Sequence, residues 1–276
     1  YYLMNKIIEI FMKNIYLYKY LFFLLPLFTV SCEDIIDVEL NSVPPKIVIE
    51  GNVALDSLAT VKVSTTRDFS ATGEYPIITS AVVKVWDNAG NSETLLPNSK
   101  GLYVTSGIRG VEGRTYNLSV NYDDKEYTAT STMPPLVAID SLTLFDFPVL
   151  DYRTPMVHFT TPPGNINDYY KFYVYVNGER RANKYETYST DLLDDGMEMH
   201  IRLSVPRDPA TNDDPVEKGD TLTVEMQCID KDMHDYWDTL MMIENSLANP
   251  TTNIKGGALG YFGAYSYSQM SIVAVW

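Results

Sequence analysis

The chain has 276 residues, 45% of them hydrophobic and 21% charged, an ordinary globular balance with length for one or two domains. Its formal net charge is −15 at pH 7, and setting aside the first 31 residues, where Lys6, Lys13 and Lys19 stand against Glu9, takes the rest to about −17. So acidic a surface repels phosphate backbones and anionic lipid, which argues against nucleic acid as a partner and against electrostatic docking on a membrane. Plain solubility is the simplest use of such a charge.

The first segment reads as an address. Met12 with Lys13 and Lys19 gives a basic start, residues 20–30 form an apolar run, and Ser31 precedes Cys32. That is the order of a signal peptide over 1–31, with Met12 the expected start. The run is too short for a membrane span, which needs roughly 18 to 20 apolar residues. Cys32, directly after a small residue, resembles the lipobox cysteine that is acylated and becomes the mature N-terminus, although Thr29 stands where Leu is usual. An ordinary secretory signal with an incidental cysteine is the alternative. Glu33 and Asp34, followed by Asp37 and Glu39, resemble the surface-export signal of Bacteroidota lipoproteins. Read more plainly, residues 32–45 are an acidic tether. With Cys32 acylated, Cys228 has no partner and no disulfide is expected.

From Lys46 onward the pattern is short strands between turns. Strands are expected at Lys46 to Glu50, ending at Gly51, and at Ala59 to Thr65 with Val61 and Val63 inward. Ala81 to Trp86 follows, closed by the turn Asp87-Asn88-Ala89-Gly90. Thr115 to Tyr122 puts Tyr116, Leu118 and Val120 on one face, and Asp123-Asp124 turns it back into Lys125 to Thr132. No βαβ alternation appears, so a mainly β fold of two β-sandwich domains is expected, Ig-like or transthyretin-like. The pair Pro134-Pro135 interrupts sheet hydrogen bonding, which sets the domains at 46–133 and 136–276.

In the second domain, strands are expected at Ser141 to Phe145, Met156 to Thr160, Tyr169 to Val176, Met197 to Val205 and Thr221 to Ile229, with Asn177-Gly178 as a hairpin turn. Leu222, Val224, Met226 and Cys228 alternate inward, which makes Cys228 a buried small hydrophobe. One amphipathic helix is expected over about 231–248: Asp230 suits its N-cap, Met233, Tyr236, Trp237, Leu240, Met241 and Leu247 recur at helical spacing, and Asn249-Pro250 ends it. That face packs on the second sheet or docks a partner. Asn253 to Gly263 reads as a Gly-rich turn region, with a terminal strand at Met270 to Trp276.

Catalytic motifs are missing. The chain has no Gly-x-Ser-x-Gly, His-Glu-x-x-His, P-loop or Gly-x-Gly-x-x-Gly sequence. His158, His200 and His234 include no i, i+4 pair, and His200 alternates with Glu198 and Arg202 as a surface residue, so no metal and no cofactor are expected. Two acidic loops, Asp191/Asp194/Asp195 and Asp208/Asp213/Asp214, lack EF-hand spacing and read as solvated turns. Four Asp-(Ser/Thr)-Leu tripeptides, at Asp56, Asp140, Asp220 and Asp238, look like an O-glycosylation motif. The 21 tyrosines point to strands or to a binding face. In Tyr169 to Val176, alternation separates Tyr169, Lys171, Tyr173 and Tyr175 as an exposed set from the core set Tyr170, Phe172, Val174 and Val176. Tyr173 and Tyr175, with Tyr261, Phe262 and Tyr265 of the tail, are the candidate ligand or partner residues.

Several pieces occur in a telling order: the acidic start at Cys32, Val48-Ile49-Glu50-Gly51, Ala81 to Val85, Gly101-Leu102-Tyr103, Gly113-Arg114-Thr115-Tyr116, Ile139 to Leu142, Gly219 to Ile229, and the tail Asn253 to Gly263. Together they resemble the Bacteroidota outer-membrane lipoproteins catalogued as domain of unknown function 4249. The first domain is also similar to the transthyretin-like, carboxypeptidase-regulatory-like modules of TonB-dependent transporters. The resemblance implies a surface lipoprotein anchored to the outer membrane at Cys32, acting without catalysis as an accessory of a TonB-dependent uptake complex. An independent surface module for glycan or peptide is the alternative. No catalytic residue is implied.

Overall fold

A computed structural model describes residues 44–68, 71–147, 152–164, 168–180, 186–189, 196–205, 216–243 and 248–276. The strands of the first half are β1 (Ile47–Ala54), β2 (Leu58–Thr65), β3 (Val82–Asp87), β4 (Ser92–Pro97), β5 (Leu102–Arg109), β6 (Thr115–Tyr122) and β7 (Lys125–Thr132). Those of the second are β8 (Ser141–Phe147), β9 (Tyr152–Thr160), β10 (Tyr169–Val176), β11 (Glu179–Arg180), β12 (Glu186–Ser189), β13 (Glu198–Arg202) and β14 (Thr221–Ile229). A helix, α1 (Lys231–Met241), and the long strand β15 (Leu259–Val273) complete the set. The fold is mainly β, and no described helix is long and apolar enough to cross a membrane.

Turn chemistry closes the hairpins where the sequence places it. Asp123 and Asp124 take positive φ values of 50° and 56°, and Asn177 and Gly178 take 54° and 83°. Both pairs give the turn whose twist matches two antiparallel strands. The Asp87 carboxylate accepts the backbone N–H groups of Ala89 and Asn91, each at 2.9 Å, and so holds the β3–β4 turn. β1 does not stop at Gly51 but runs on to Ala54. A Cβ at Gly51 would lie 2.6 Å from the Phe262 ring, so this glycine makes room for a core side chain instead of breaking a strand.

One hydrogen-bonded path runs β11-β10-β14-β15-β1-β2-β5-β4-β3-β6-β7, with β12 against β10, and a separate sheet runs β13-β9-β8. The joint of the long path is β15. Its first half pairs in parallel with β1 from Val48↔Leu259 to Ala54↔Tyr265, and its second half pairs antiparallel with β14 from Cys228↔Ser266 to Thr221↔Val273. The Gly-rich tail, expected as a turn region, therefore begins a central strand at Leu259, well ahead of the terminal strand read at Met270. Residues 44–276 form one compact unit.

Two large hydrophobic cores and a smaller cluster under α1 lie within it. The first gathers Ile49, Val61, Val83, Tyr103, Tyr116 and Leu118 with Ile254, Ala258, Phe262 and Ala264 of the tail. The second gathers Leu142, Phe159, Tyr170, Phe172, Leu222 and Met226. Each fully buried aromatic or aliphatic side chain stabilises the fold by about 1.5–3 kcal/mol.

Between Gly260 and Ala264 no described strand pairs with the edge of β15 that turns away from β1, and side chains satisfy its backbone. Thr252 Oγ1 donates to Gly260 O at 2.7 Å, Asn253 Nδ2 donates to Phe262 O at 2.7 Å, and Asn253 Oδ1 accepts Phe262 N–H at 3.0 Å. Ser131 Oγ accepts Ala264 N–H at 2.8 Å and donates to the Asp230 carboxylate. Asp230 also accepts Met233 N–H at 2.8 Å as the N-cap of α1. The helix thus starts where β14 leaves β15, and its cap is tied to β7. It ends at Met241, short of the expected 248; residues 244–247, with Leu247, lie outside the described residues. Met241 is exposed, and Met233, Tyr236, Trp237 and Leu240 make the inward face.

Candidate functional site

Period-two alternation along β15 sends Tyr261 and Tyr265 to one face and Phe262 to the other. Phe262 is fully buried in the first core, which removes it from the candidate ligand residues. Tyr261 and Tyr265 meet α1. The Tyr261 ring lies 4.7 Å from Tyr236 and 5.0 Å from Trp237, centroid to centroid, and its hydroxyl donates to Asn52 Oδ1 of β1 at 3.1 Å.

The same sheet face continues into β14 and β10. Tyr173 stands opposite Glu225, and Lys171 opposite Gln227. The Asn177-Gly178 hairpin returns Arg180 beside Tyr175. These side chains and the inward face of α1 enclose a cavity of about 710 Å³, lined by Lys171, Tyr173, Tyr175, Arg180, Tyr261 and Tyr265 together with Trp237 and Leu240. Four of the five aromatics singled out in the sequence thus converge on one pocket. Tyr173 and Tyr175 are half-buried, while the core set Tyr170, Phe172, Val174 and Val176 faces away into the second core.

Lys171 departs from the exposed set in which alternation placed it. It is 2% exposed, because α1 lies over this end of β10 and the Trp237 ring covers the amine, with Nζ 3.1 Å from the ring centroid. Burial, helped by the positive charge of Arg180 and opposed by Glu225, brings its pKa down to about 6. The Tyr173 ring takes Lys171 Nζ at 4.6 Å and the Arg180 guanidinium at 4.9 Å. Burial pushes the Tyr173 phenol up to about 12 and raises those of Tyr175, Tyr261 and Tyr265 as well, so all four stay neutral hydrogen-bonding groups at physiological pH. Glu225, the pocket's carboxylate, accepts Gln227 Nε2 at 2.6 Å, Gln269 Nε2 at 2.7 Å and the Tyr175 hydroxyl at 3.4 Å. With its pKa brought down to about 6, Lys171 is a neutral amine at pH 7, so Arg180 is the pocket's cation, set near Glu225. The arrangement suits stacking on a flat or sugar-like face and holding an anionic group.

Sequence reasoning named none of Lys171, Arg180, Glu225 or Trp237 among the ligand residues, although it put Trp237 on the packing or docking face of the helix and Lys171 in the exposed set of β10. The hairpin turn gives a signal for Arg180, since a two-residue Asn-Gly turn fixes the register that sets it beside Tyr175. Nothing in the sequence tells that α1 folds over Lys171.

Cys228 is a free, buried cysteine whose Sγ accepts Val137 N–H at 3.4 Å, and burial pushes its thiol up to about 11, unsuited to a nucleophile. His158 and His200, 42 residues apart in the chain, stand opposite each other on β9 and β13. Of the glycosylation-like tripeptides, the one at Asp238 sits in α1, where Thr239 Oγ1 donates to Asp235 O at 2.6 Å. Cys32, Glu33 and Asp34 lie outside the described residues, as do the acidic residues Asp191, Asp194, Asp195, Asp208, Asp213 and Asp214.

No curated protein matches the chain. The model of a family described as Domain of unknown function (DUF4249) matches residues 33–271, from the position after Cys32 almost to the end of β15. With most of its length matched, the chain belongs to the DUF4249 family.

Proposed function

We propose that this protein is a non-catalytic binding lipoprotein of the outer-membrane surface, anchored at Cys32 and exported by way of Glu33 and Asp34, whose ligand site is the pocket under α1. The carrying observation is the convergence of Tyr173, Tyr175, Tyr261, Tyr265 and Trp237 with Lys171 and Arg180 on one cavity. Aromatic rings supply stacking area at low entropic cost, and the Arg180 guanidinium over the Tyr173 ring supplies a seat for a carboxylate. The ligand class this favours is a glycan or peptide that carries a carboxylate. Calorimetric titration of the full chain in mild detergent with acidic glycans, neutral glycans and short peptides tests the reading. Tyr173→Ala and Arg180→Gln should each weaken the acidic ligand at least tenfold. Binding that both variants leave untouched, or no binding across the panel, would sink the reading.

The family resemblance favours a second element: the protein serves a TonB-dependent uptake complex as an accessory and comes from a Bacteroidota envelope. In this reading the two cores are two β-sandwich modules parted at Pro134-Pro135, the first transthyretin-like, with β15 as the strand they share. Gentle extraction followed by identification of what co-purifies separates the accessory from an independent surface module. A stoichiometric transporter supports the accessory; recovery of the protein alone supports the independent module.

A further inference from the structure

The small sheet β13-β9-β8 carries a cluster that neither the pocket nor the family accounts for. His158 of β9 and His200 of β13 are direct cross-strand partners, and their Nδ1 atoms approach to 2.5 Å with ring centroids 4.8 Å apart. Glu198, two residues before His200, projects from the same face of β13. One ligating atom from each of His158, Glu198 and His200 falls within 4.8 Å of the other two. We propose that these three residues bind a first-row transition-metal ion of the zinc, cobalt, nickel or copper type.

The chemistry runs from the nitrogens. Two neutral imidazoles meeting through the same ring nitrogen can share at most one proton, so at least one lone pair faces the other ring. Thr143 Oγ1 lies 2.7 Å from His158 Nε2. With Nε2–H donating to that hydroxyl, the His158 Nδ1 lone pair is the one turned towards His200. A hydrogen-bonded outer nitrogen that fixes the inner one as donor to a metal is the usual support of a ligating histidine. Two imidazoles and one carboxylate suit zinc and its neighbours, whereas calcium and magnesium demand six or more oxygens. Three protein ligands leave the fourth tetrahedral position to water.

The two Nδ1 atoms, 2.5 Å apart, stand closer than a shared metal ion would hold them. Metal–nitrogen bonds of about 2.0–2.1 Å at a tetrahedral angle hold the two nitrogens about 3.3 Å apart. Opening the pair by about 1 Å needs only a turn of side chains, and His200 and Glu198 are exposed while His158 is half-buried, so β9 and β13 need not move. A bound ion would clip β13 to β9.

The test uses the full chain in mild detergent, without a histidine tag, stripped with chelator and then titrated with Co²⁺. One equivalent should bind with the visible absorption of a tetrahedral cobalt site, be displaced by Zn²⁺, and raise the melting temperature. His200→Ala is the clean variant because its side chain is exposed, and it should weaken binding at least tenfold and abolish the rise in melting temperature. His158→Ala should do the same, and Glu198→Gln should weaken binding less. His234→Ala, a histidine outside the cluster, should bind as the wild type does. Failure of the wild-type chain to bind Co²⁺ would overturn the assignment. So would equal affinity in the wild type and a folded His200→Ala variant.

Discussion

Replacing Lys171 by methionine keeps the volume and removes the amine, and the stability gained or lost measures what that amine costs. Lys171 is 2% exposed, and its pKa falls from 10.5 to about 6 because burial disfavours the charged form, with Arg180 adding to the fall and Glu225 opposing it. A fall of that size corresponds to about 6 kcal/mol of penalty on the cation. Attraction to the Trp237 and Tyr173 rings, about 2 kcal/mol for a desolvated cation, recovers less than half, so burial wins. Between about pH 6 and 10.5 the unfolded chain therefore holds one proton more than the folded one, and stability rises with pH across that window. At pH 7 the deficit is at most about 5 kcal/mol against its high-pH value. The ring attraction and the hydrogen bond an amine can make reduce what methionine recovers to about 2 kcal/mol. Lys171→Met should thus raise the melting temperature by about 4–8 °C at neutral pH. Melts of both proteins at about pH 7, 8.5 and 10 should show the gap closing as the wild type catches up. A variant less stable than the wild type at pH 7, or a gap that does not change with pH, would refute the reasoning.

Three further substitutions probe the first core and the β1–β15 joint. Glu93 accepts Ser106 N–H at 2.6 Å, Ser106 Oγ–H at 2.8 Å, Gly107 N–H at 2.9 Å and Ile108 N–H at 2.6 Å. Despite the upward push of burial, these bonds hold its carboxyl below the ordinary 4.5, so its contribution is present above that pH and lost as the pH falls through the lower, folded-state value. Glu93→Gln should cost about 1–3 kcal/mol in urea melts at neutral pH, with the gap to wild type narrowing in acid. The Tyr116 hydroxyl donates to Arg109 O and accepts Val111 N–H, both at 2.8 Å, from a fully buried ring. Tyr116→Phe should therefore destabilise by about 1–3 kcal/mol, with no change in the near-ultraviolet signature of the second core. Gly260 has a φ of +98°, and a Cβ there would lie 2.0 Å from Ile49 O, a backbone atom that cannot step aside. Gly260→Ala should cost more than about 3 kcal/mol or prevent folding, as read by expression level and urea midpoint.

Much of the frame was legible because local chemistry and global fold agree at most of its strands. Thr115 to Tyr122 alternates cleanly, its turn residues tolerate positive φ, and the strand runs over those residues. The N-cap at Asp230 was legible for the same reason. The tail was misread in part: the turn at Gly256-Gly257 stands, but glycine between residues 256 and 263 signals a turn when only neighbours in sequence are known, and from Leu259 the chain is strand. In space some of these glycines mark a strand that other backbone approaches closely, as Ile49 does at Gly260. Phe262 was misassigned by the same limit: adjacent aromatics look alike until the strand between them fixes which face each takes. Lys171 obeyed the alternation and still ended buried, since no pattern within β10 announces that a helix some sixty residues later will cover it. The pairing of His158 with His200 is equally silent, because cross-strand register between β9 and β13 is set by two strands with no short turn between them.

The position of the pocket follows from β15 being longer than either of its partners. β1 takes its first half and β14 its second, and where β14 departs at Cys228 a stretch of strand is left with one edge bare. A bare edge must be capped or it recruits another chain. Thr252, Asn253 and Ser131 cap it with side chains, which leaves the chain after β14 free to rise off the sheet as α1. A helix laid across a twisted sheet at one end only cannot cover the whole face. Its inward side chains reach Tyr261 and Lys171 but leave Tyr173, Tyr175 and Arg180 at the open end. That uncovered corner is the cavity. The Ser131–Asp230 bond holds the start of α1 against β7. The bond that anchors the helix thus joins a strand of the first core to the helix that roofs the pocket.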